Sequence, residues 1–187
     1  MILVKTATYV FAALVALFKN ESGSHYLVFI DPEGLDIHFS TIQTIVEATG
    51  GQCDLLILFN TSSINRTIGG EREDSLTKFF GGEEWRGRNA EELLDLYKEK
   101  LKRLYSDIRD AKPYVESIEI DDPDIGWRYD MILLTREGDY TDVWKDLKDR
   151  IEKHRPQDVE IAKKTLDGLQ TRLDNWAGPL LHYLDTT

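Results

Sequence analysis

Tyr26-Leu-Val-Phe-Ile-Asp-Pro-Glu-Gly34 is an apolar run that halts at an acid, a proline and a glycine. No polar residue alternates within Tyr26 to Ile30, so the pattern predicts a strand buried on both faces, in the middle of a parallel sheet. Pro32 lacks a backbone donor and fixes φ, and Gly34 admits conformations closed to other residues, so the chain has to leave the sheet here, at its carboxyl edge. Ligands of open α/β sheets bind at that edge. Asp31 is therefore a candidate functional carboxylate, with Pro32 beside it. The plain alternative is an acid that hydrogen-bonds the turn or caps the next element.

Outward from this stretch, Leu35 to Phe39 reads as a short loop. Ser40-Thr-Ile-Gln43 has the capping-box arrangement of a hydroxyl followed three residues later by Gln, which predicts a helix starting at Ser40. Ile42, Ile45 and Val46 form its buried stripe, and Gly50-Gly51 supplies the left-handed residue that ends it. Asp54 to Phe59 is a second buried strand, which makes residues 26–59 a βαβ unit with a right-handed crossover. Both strands end at the same edge. The segment from Asn60 to Ile68 comes directly after and reads as a polar loop, so Asn60, Ser62, Asn65 and Arg66 are candidate substrate-positioning residues beside Asp31. Arg66 suits a bidentate grip on phosphate or carboxylate; its alternative is a surface ion pair with Glu71 or Glu73.

Gly69 to Arg88 is a long polar excursion with a short helix, broken by Leu76, Phe79, Phe80 and Trp85. Asn89-Ala-Glu-Glu92 caps a helix whose Leu93, Tyr97, Leu101 and Leu104 recur at helical spacing, and whose mixed Lys and Glu residues mark a solvated face. Tyr114 to Ile120 and Trp127 to Thr135 read as strands of an antiparallel hairpin, joined by an acidic turn, Asp121 to Gly126, that lacks the full calcium-loop pattern. A helix capped at Thr141 stops at Pro156, and Val159 to Trp176 is a final amphipathic helix. Residues 1–25 are read as an apolar core helix that covers the sheet, with a signal peptide as the alternative; their apolar stretch falls short of the about 20 residues a membrane span requires. The expected domain layout is one α/β domain over 1–187, with residues 1–25 as the N-terminal helix, 26–155 as a half-sheet and 156–187 as a C-terminal helical extension.

The chain has 187 residues, 41% of them hydrophobic, enough for a globular core. Its formal net charge of -11 opposes a broad grip on nucleic acid or an anionic membrane, leaving only a local basic patch as a route to phosphate. The single cysteine, Cys53, forms no internal disulfide, in keeping with a cytoplasmic protein. The four histidines stand at no ligand spacing, and no metal site is expected.

Taken in order, two parallel strands and a terminal hairpin make the second half of a class I methyltransferase sheet, in which the last strand inserts antiparallel, with helices on both faces. More closely, Phe29-Ile-Asp-Pro-Glu-Gly-Leu35, Phe39-Ser-Thr41, Asp54-Leu-Leu-Ile-Leu-Phe59, Ile64-Asn-Arg66, Phe79-Phe-Gly81 with Trp85, and Leu96-Tyr97 with Glu99 and Leu101 resemble successive blocks of the three-Cys-motif partner protein family, over about residues 26–145. That family is similar to S-adenosylmethionine-dependent methyltransferases. The resemblance implies a protein partner carrying a three-cysteine motif, and S-adenosylmethionine as cofactor of the full-length family. Two departures stand out. No glycine-rich cofactor turn precedes Asp31, and Glu33 replaces the aromatic or small apolar residue expected after Pro32, which removes a stacking surface and adds a charge that repels phosphate. No cofactor is therefore expected for this chain as given. The residues support two readings. In one, Asp31 and the Pro32 carbonyl orient an amino nucleophile of nucleic acid. In the other, the chain is a non-catalytic partner subunit that binds another protein, or a second copy of itself, through an open sheet edge.

Overall fold

The computed structural model describes residues 2–4, 25–32, 34–122, 127–138, 141–151 and 153. Five strands form one sheet: β1 (Ile2–Val4), β2 (Tyr26–Ile30), β3 (Cys53–Phe59), β4 (Pro113–Asp122) and β5 (Trp127–Arg136). Their order is β1-β2-β3-β5-β4. β1, β2 and β3 run parallel, with Ile30 opposite Ile57. β5 is antiparallel to both of its neighbours, β3 and β4. Four helices belong to the same unit: α1 (Phe39–Ala48), α2 (Thr61–Thr67), α3 (Glu73–Phe80) and α4 (Ala90–Ile108). The chain divides into two compact units, residues 1–141 and 142–187. In the second, the described residues are helical and carry local ion pairs, Lys145 with Asp142 and Arg150 with Asp146. The acidic turn at 123–126, the helix stop at Pro156 and the final helix from Val159 lie outside the described residues, as does Glu33.

The mixed α/β sheet and the parallel pairing of the two apolar runs are as expected, but three local readings are corrected. The strands are not buried on both faces. Along β3 burial alternates strictly: Cys53, Leu55, Ile57 and Phe59 are fully covered, while Leu56 and Leu58 are half-buried. The covered face packs with Val28, Ile30, Ile132 and Leu134 against the stripes of α1, α3 and α4. On the other face Leu27 is exposed and Phe29, Met131 and Leu133 are half-buried. A helix packed on that face was expected from residues 1–25, of which 5–24 lie outside the described residues. The opening of that segment is no helix: Ile2, Leu3 and Val4 pair with Val28, Phe29 and Ile30 as an edge strand. Apolar residues, two of them β-branched, suit a pleated surface as readily as a helix interior.

The third correction concerns α1, which starts at Phe39, one residue before the start read at Ser40, so that Ser40 is inside the helix and not its N-cap. His38 is the N-cap and makes no side-chain cap bond, while Gln43 donates to Glu47 at 2.7 Å instead of reaching back. The buried stripe is Ile42, Ile45 and Val46 and the terminating Gly50 and Gly51 have φ of 56° and 69°, as read from the sequence. In α4 the Asn89–Glu92 capping box forms with both bonds, at 3.0 and 2.8 Å. Its covered residues are Leu93, Tyr97, Leu101 and Tyr105, so the fourth contact falls on Tyr105 and not Leu104.

An aromatic cluster sits beneath the carboxyl edge of the sheet. Phe59, the last residue of β3, lies 5.4 Å from Tyr97 and 5.7 Å from Phe79, and Phe79 stacks on Tyr97 at 4.9 Å. Phe39, at the start of α1, meets Tyr97 edge-on at 5.7 Å. Rings in these geometries add about 0.5–1.5 kcal/mol per pair beyond their burial. The cluster fixes the approach of α3 and α4 to the end of β3, and so positions the loops that leave it.

Candidate functional site

β3 runs two residues past the Ile30–Ile57 pairing to Phe59, whose partner in β5 is Asp130. The ends of β2 and β3 and the start of β5 therefore meet at one edge, carrying Asp31, Asn60 and Asp130. Asp31 is half-buried and has no hydrogen bond or ion pair among the described residues; Pro32 is buried.

The segment after β3 is a helix and not a loop. Asn60 is its N-cap, its Oδ1 accepting from the Ser63 amide at 2.8 Å. Thr61 Oγ1 donates to Asp130 Oδ2 at 2.8 Å, and Ser62 Oγ accepts from the Arg128 amide at 2.9 Å. Two successive hydroxyls thus fasten α2 to β5. The capping oxygen of Asn60 and the hydroxyl of Ser62 are occupied in holding α2, and Asn65 is exposed on its surface.

Arg66 lies on α2, not in a loop beside Asp31. It lines a cleft of about 340 Å³ between the turn Gly34–Asp36, α2 and the start of α3, together with Ser63, Arg72 and Ser75. Its Nη2 donates to Ser63 Oγ at 3.1 Å. The surface pairing considered for it is not made: Glu73 is held by Arg86 at 2.6 Å, and Arg66 has no ion pair among the described residues. Gly34 has a φ of 74° and approaches Ser63, whose hydroxyl would lie 4.0 Å from a Cβ at that position. Asp31, Pro32, Asn60, Ser62 and Asn65 do not line this cleft. The edge thus has two parts, a row of Asp31 and Asp130 at the strand ends and an arginine cleft beside it.

Asp130 escapes a sequence reading altogether. It is only 4% exposed, and burial pushes its carboxyl above the ordinary range; the hydrogen bond from Thr61 and the charges of Arg128 and Lys98 act the other way, with Glu119 adding to the rise. Arg128 is itself paired with Glu119 at 2.5 Å. The available signal is an acid directly before the apolar run Met131 to Leu134 of the strand. Arg72 and Asp36 were equally unmarked, Arg72 being one charge in the run Glu71 to Asp74 and Asp36 a lone acid between Leu35 and Ile37.

Among the described residues no group of three or more His, Cys, Asp or Glu is placed to hold a metal ion, and no helix is long and apolar enough to cross a membrane. No family model, no curated protein and no solved structure matches the chain.

Proposed function

We propose that this chain is a methyltransferase-related α/β domain, of the three-Cys-motif partner type, that works with a partner protein and does not itself use S-adenosylmethionine. One observation carries the reading: the last strand of the sheet inserts antiparallel between β3 and β4, which leaves β4 parallel to β3. This is the arrangement the sequence resemblance implies for the terminal hairpin. A sheet built only from successive βαβ units has no antiparallel strand inside it. The acid–proline pair then falls at the edge where such domains meet their substrate. In this reading Asp31 and Pro32 belong to an inherited edge, and α2 with Arg66 faces the same side.

A second reading keeps catalysis. Asp31 is accessible and has no partner among the described residues, which suits a carboxylate that receives an amino group. Against it stand the net charge of -11 and the absence of a Gly-x-Gly turn ahead of Asp31 in the sequence. Calorimetric titration of S-adenosylmethionine into the purified 187-residue chain separates the two. We expect no saturable heat at ligand concentrations approaching about 1 mM, equivalent to a binding free energy weaker than about -4 kcal/mol. Micromolar binding that disappears in Asp31→Ala establishes the second reading instead.

A further inference from the structure

We propose that the cleft walled by Arg66 and Arg72 binds the phosphate of a phosphorylated sugar or nucleotide, with Asp36 receiving a hydroxyl of the same ligand. This names a ligand class for the edge that the methyltransferase-related reading treats as substrate-facing, and to that extent it rests on that reading.

The argument begins with two guanidiniums lining one cleft of about 340 Å³. Neither is in an ion pair among the described residues, although the chain carries 34 acids against 23 lysines and arginines and Glu71 and Glu73 flank Arg72 in sequence. Six other basic residues of the same unit, Arg86, Lys98, Lys100, Lys102, Lys112 and Arg128, have carboxylate partners, while Lys78, Arg103 and Arg136 also stand in no ion pair among the described residues; what sets Arg66 and Arg72 apart is that they line the same cleft. Both residues are exposed and line the same cleft, so an anion bound there can be reached by two positive charges at once.

The donors suit phosphate better than carboxylate. Ser63 and Ser75 line the same cleft and add two hydroxyls to the two arginine forks, while Thr67 Oγ1, also in the lining, donates its proton to the Ser63 carbonyl at 2.8 Å. Together they offer more donors than the four lone-pair sites of a carboxylate take up, whereas a phosphate dianion has three acceptor oxygens and a higher charge. Ser63 already orients Arg66. Among the described residues Asp36 is the one acidic side chain in the lining. It repels a bare anion, so the ligand that fits carries a hydroxyl donor a short distance from its phosphate, as a pentose phosphate does. The volume lies at the lower end for small-molecule sites and accommodates a ligand of that size.

The test is calorimetric titration of ribose 5-phosphate, inorganic phosphate and ribose into the full chain. We expect saturable binding of ribose 5-phosphate, weaker binding of inorganic phosphate and none of ribose. Arg66→Ala and Arg72→Ala each weaken ribose 5-phosphate by about tenfold to a hundredfold, the usual worth of a hydrogen bond to a charged group. Arg66→Lys keeps the charge but not the fork and falls between. Asp36→Asn lowers ribose 5-phosphate toward inorganic phosphate. Circular dichroism confirms that each variant is folded, and Arg136→Ala, at the opposite end of β5, leaves binding unchanged. The proposal is overturned if the parent chain binds neither phosphate compound, if the Arg66 and Arg72 variants bind as the parent does, or if Arg136→Ala weakens binding equally. Because S-adenosylmethionine is a separate titration, the cleft and the methyltransferase-related reading fail independently.

Discussion

Asp130 is a carboxyl group held almost out of water by one hydroxyl partner, Thr61, which is 69 positions away in the chain. Its raised pKa has a definite thermodynamic sign. Below the ordinary carboxylate value the folded and unfolded chains are both protonated and nothing is lost; as pH rises toward the raised value the unfolded state ionises first, and stability falls across that window and stays lower above it. Asp130→Asn keeps an acceptor for Thr61 and removes the titration. We therefore expect urea denaturation from about pH 3 to about pH 8 to show the variant gaining on the parent as pH rises, with the difference confined to the window above the ordinary carboxylate pKa. A constant offset at every pH would mean that burial is not what governs this group. None of this was legible in the sequence, because burial and a partner so distant are products of tertiary contact. The ends of β2 and β3, by contrast, were legible because local chemistry marks them: proline and glycine after one, an amide and hydroxyls after the other.

At the level of single elements, the caps divide between those set by local sequence and those overridden by packing. Asn89 and Glu92 form the box their spacing announces. Ser40 and Gln43 do not, since Phe39 is drawn into the aromatic cluster against Tyr97 and takes up the first helical position. α2 escaped notice because seven residues with a single apolar contact, Ile64, have no periodicity to read; it is a helix because Asn60 caps it and Thr61 and Ser62 fasten it to β5. These assignments reverse the ranking a sequence reader would give. Asn60→Ala should cost about 1 kcal/mol in chemical denaturation, while Ser40→Ala, on the exposed side of α1, should stay within about 0.5 kcal/mol of the parent. A larger loss at Ser40 than at Asn60 would restore the capping box and displace the helix start seen here.

For the molecule as a whole, the parallel pairing of β2 with β3 and the β4–β5 hairpin were readable because apolar runs, a crossover and a hairpin leave few topologies, whereas the edge strand β1 was not. What stayed illegible was how far each face is covered, since Leu56 and Leu58 are as apolar as Leu55 and Ile57 yet lie on the half-buried side. The order also dictates a timetable. β3 gains β2 as soon as both have been made, but its other edge belongs to β5, whose pairing residues are translated about 70 positions later. At roughly 5–20 residues per second that edge stands open on the ribosome for on the order of 3–15 s, a bare row of amides and carbonyls beside some of the most apolar sequence in the chain. β4 is made first and still has to wait, because among the described residues its only hydrogen-bonded neighbour is β5. A polypeptide ending at residue 126 should accordingly show fast amide exchange throughout 113–122 and associate in a concentration-dependent way, whereas slow exchange there would reveal that β4 can dock directly on β3 and give way when the final strand arrives.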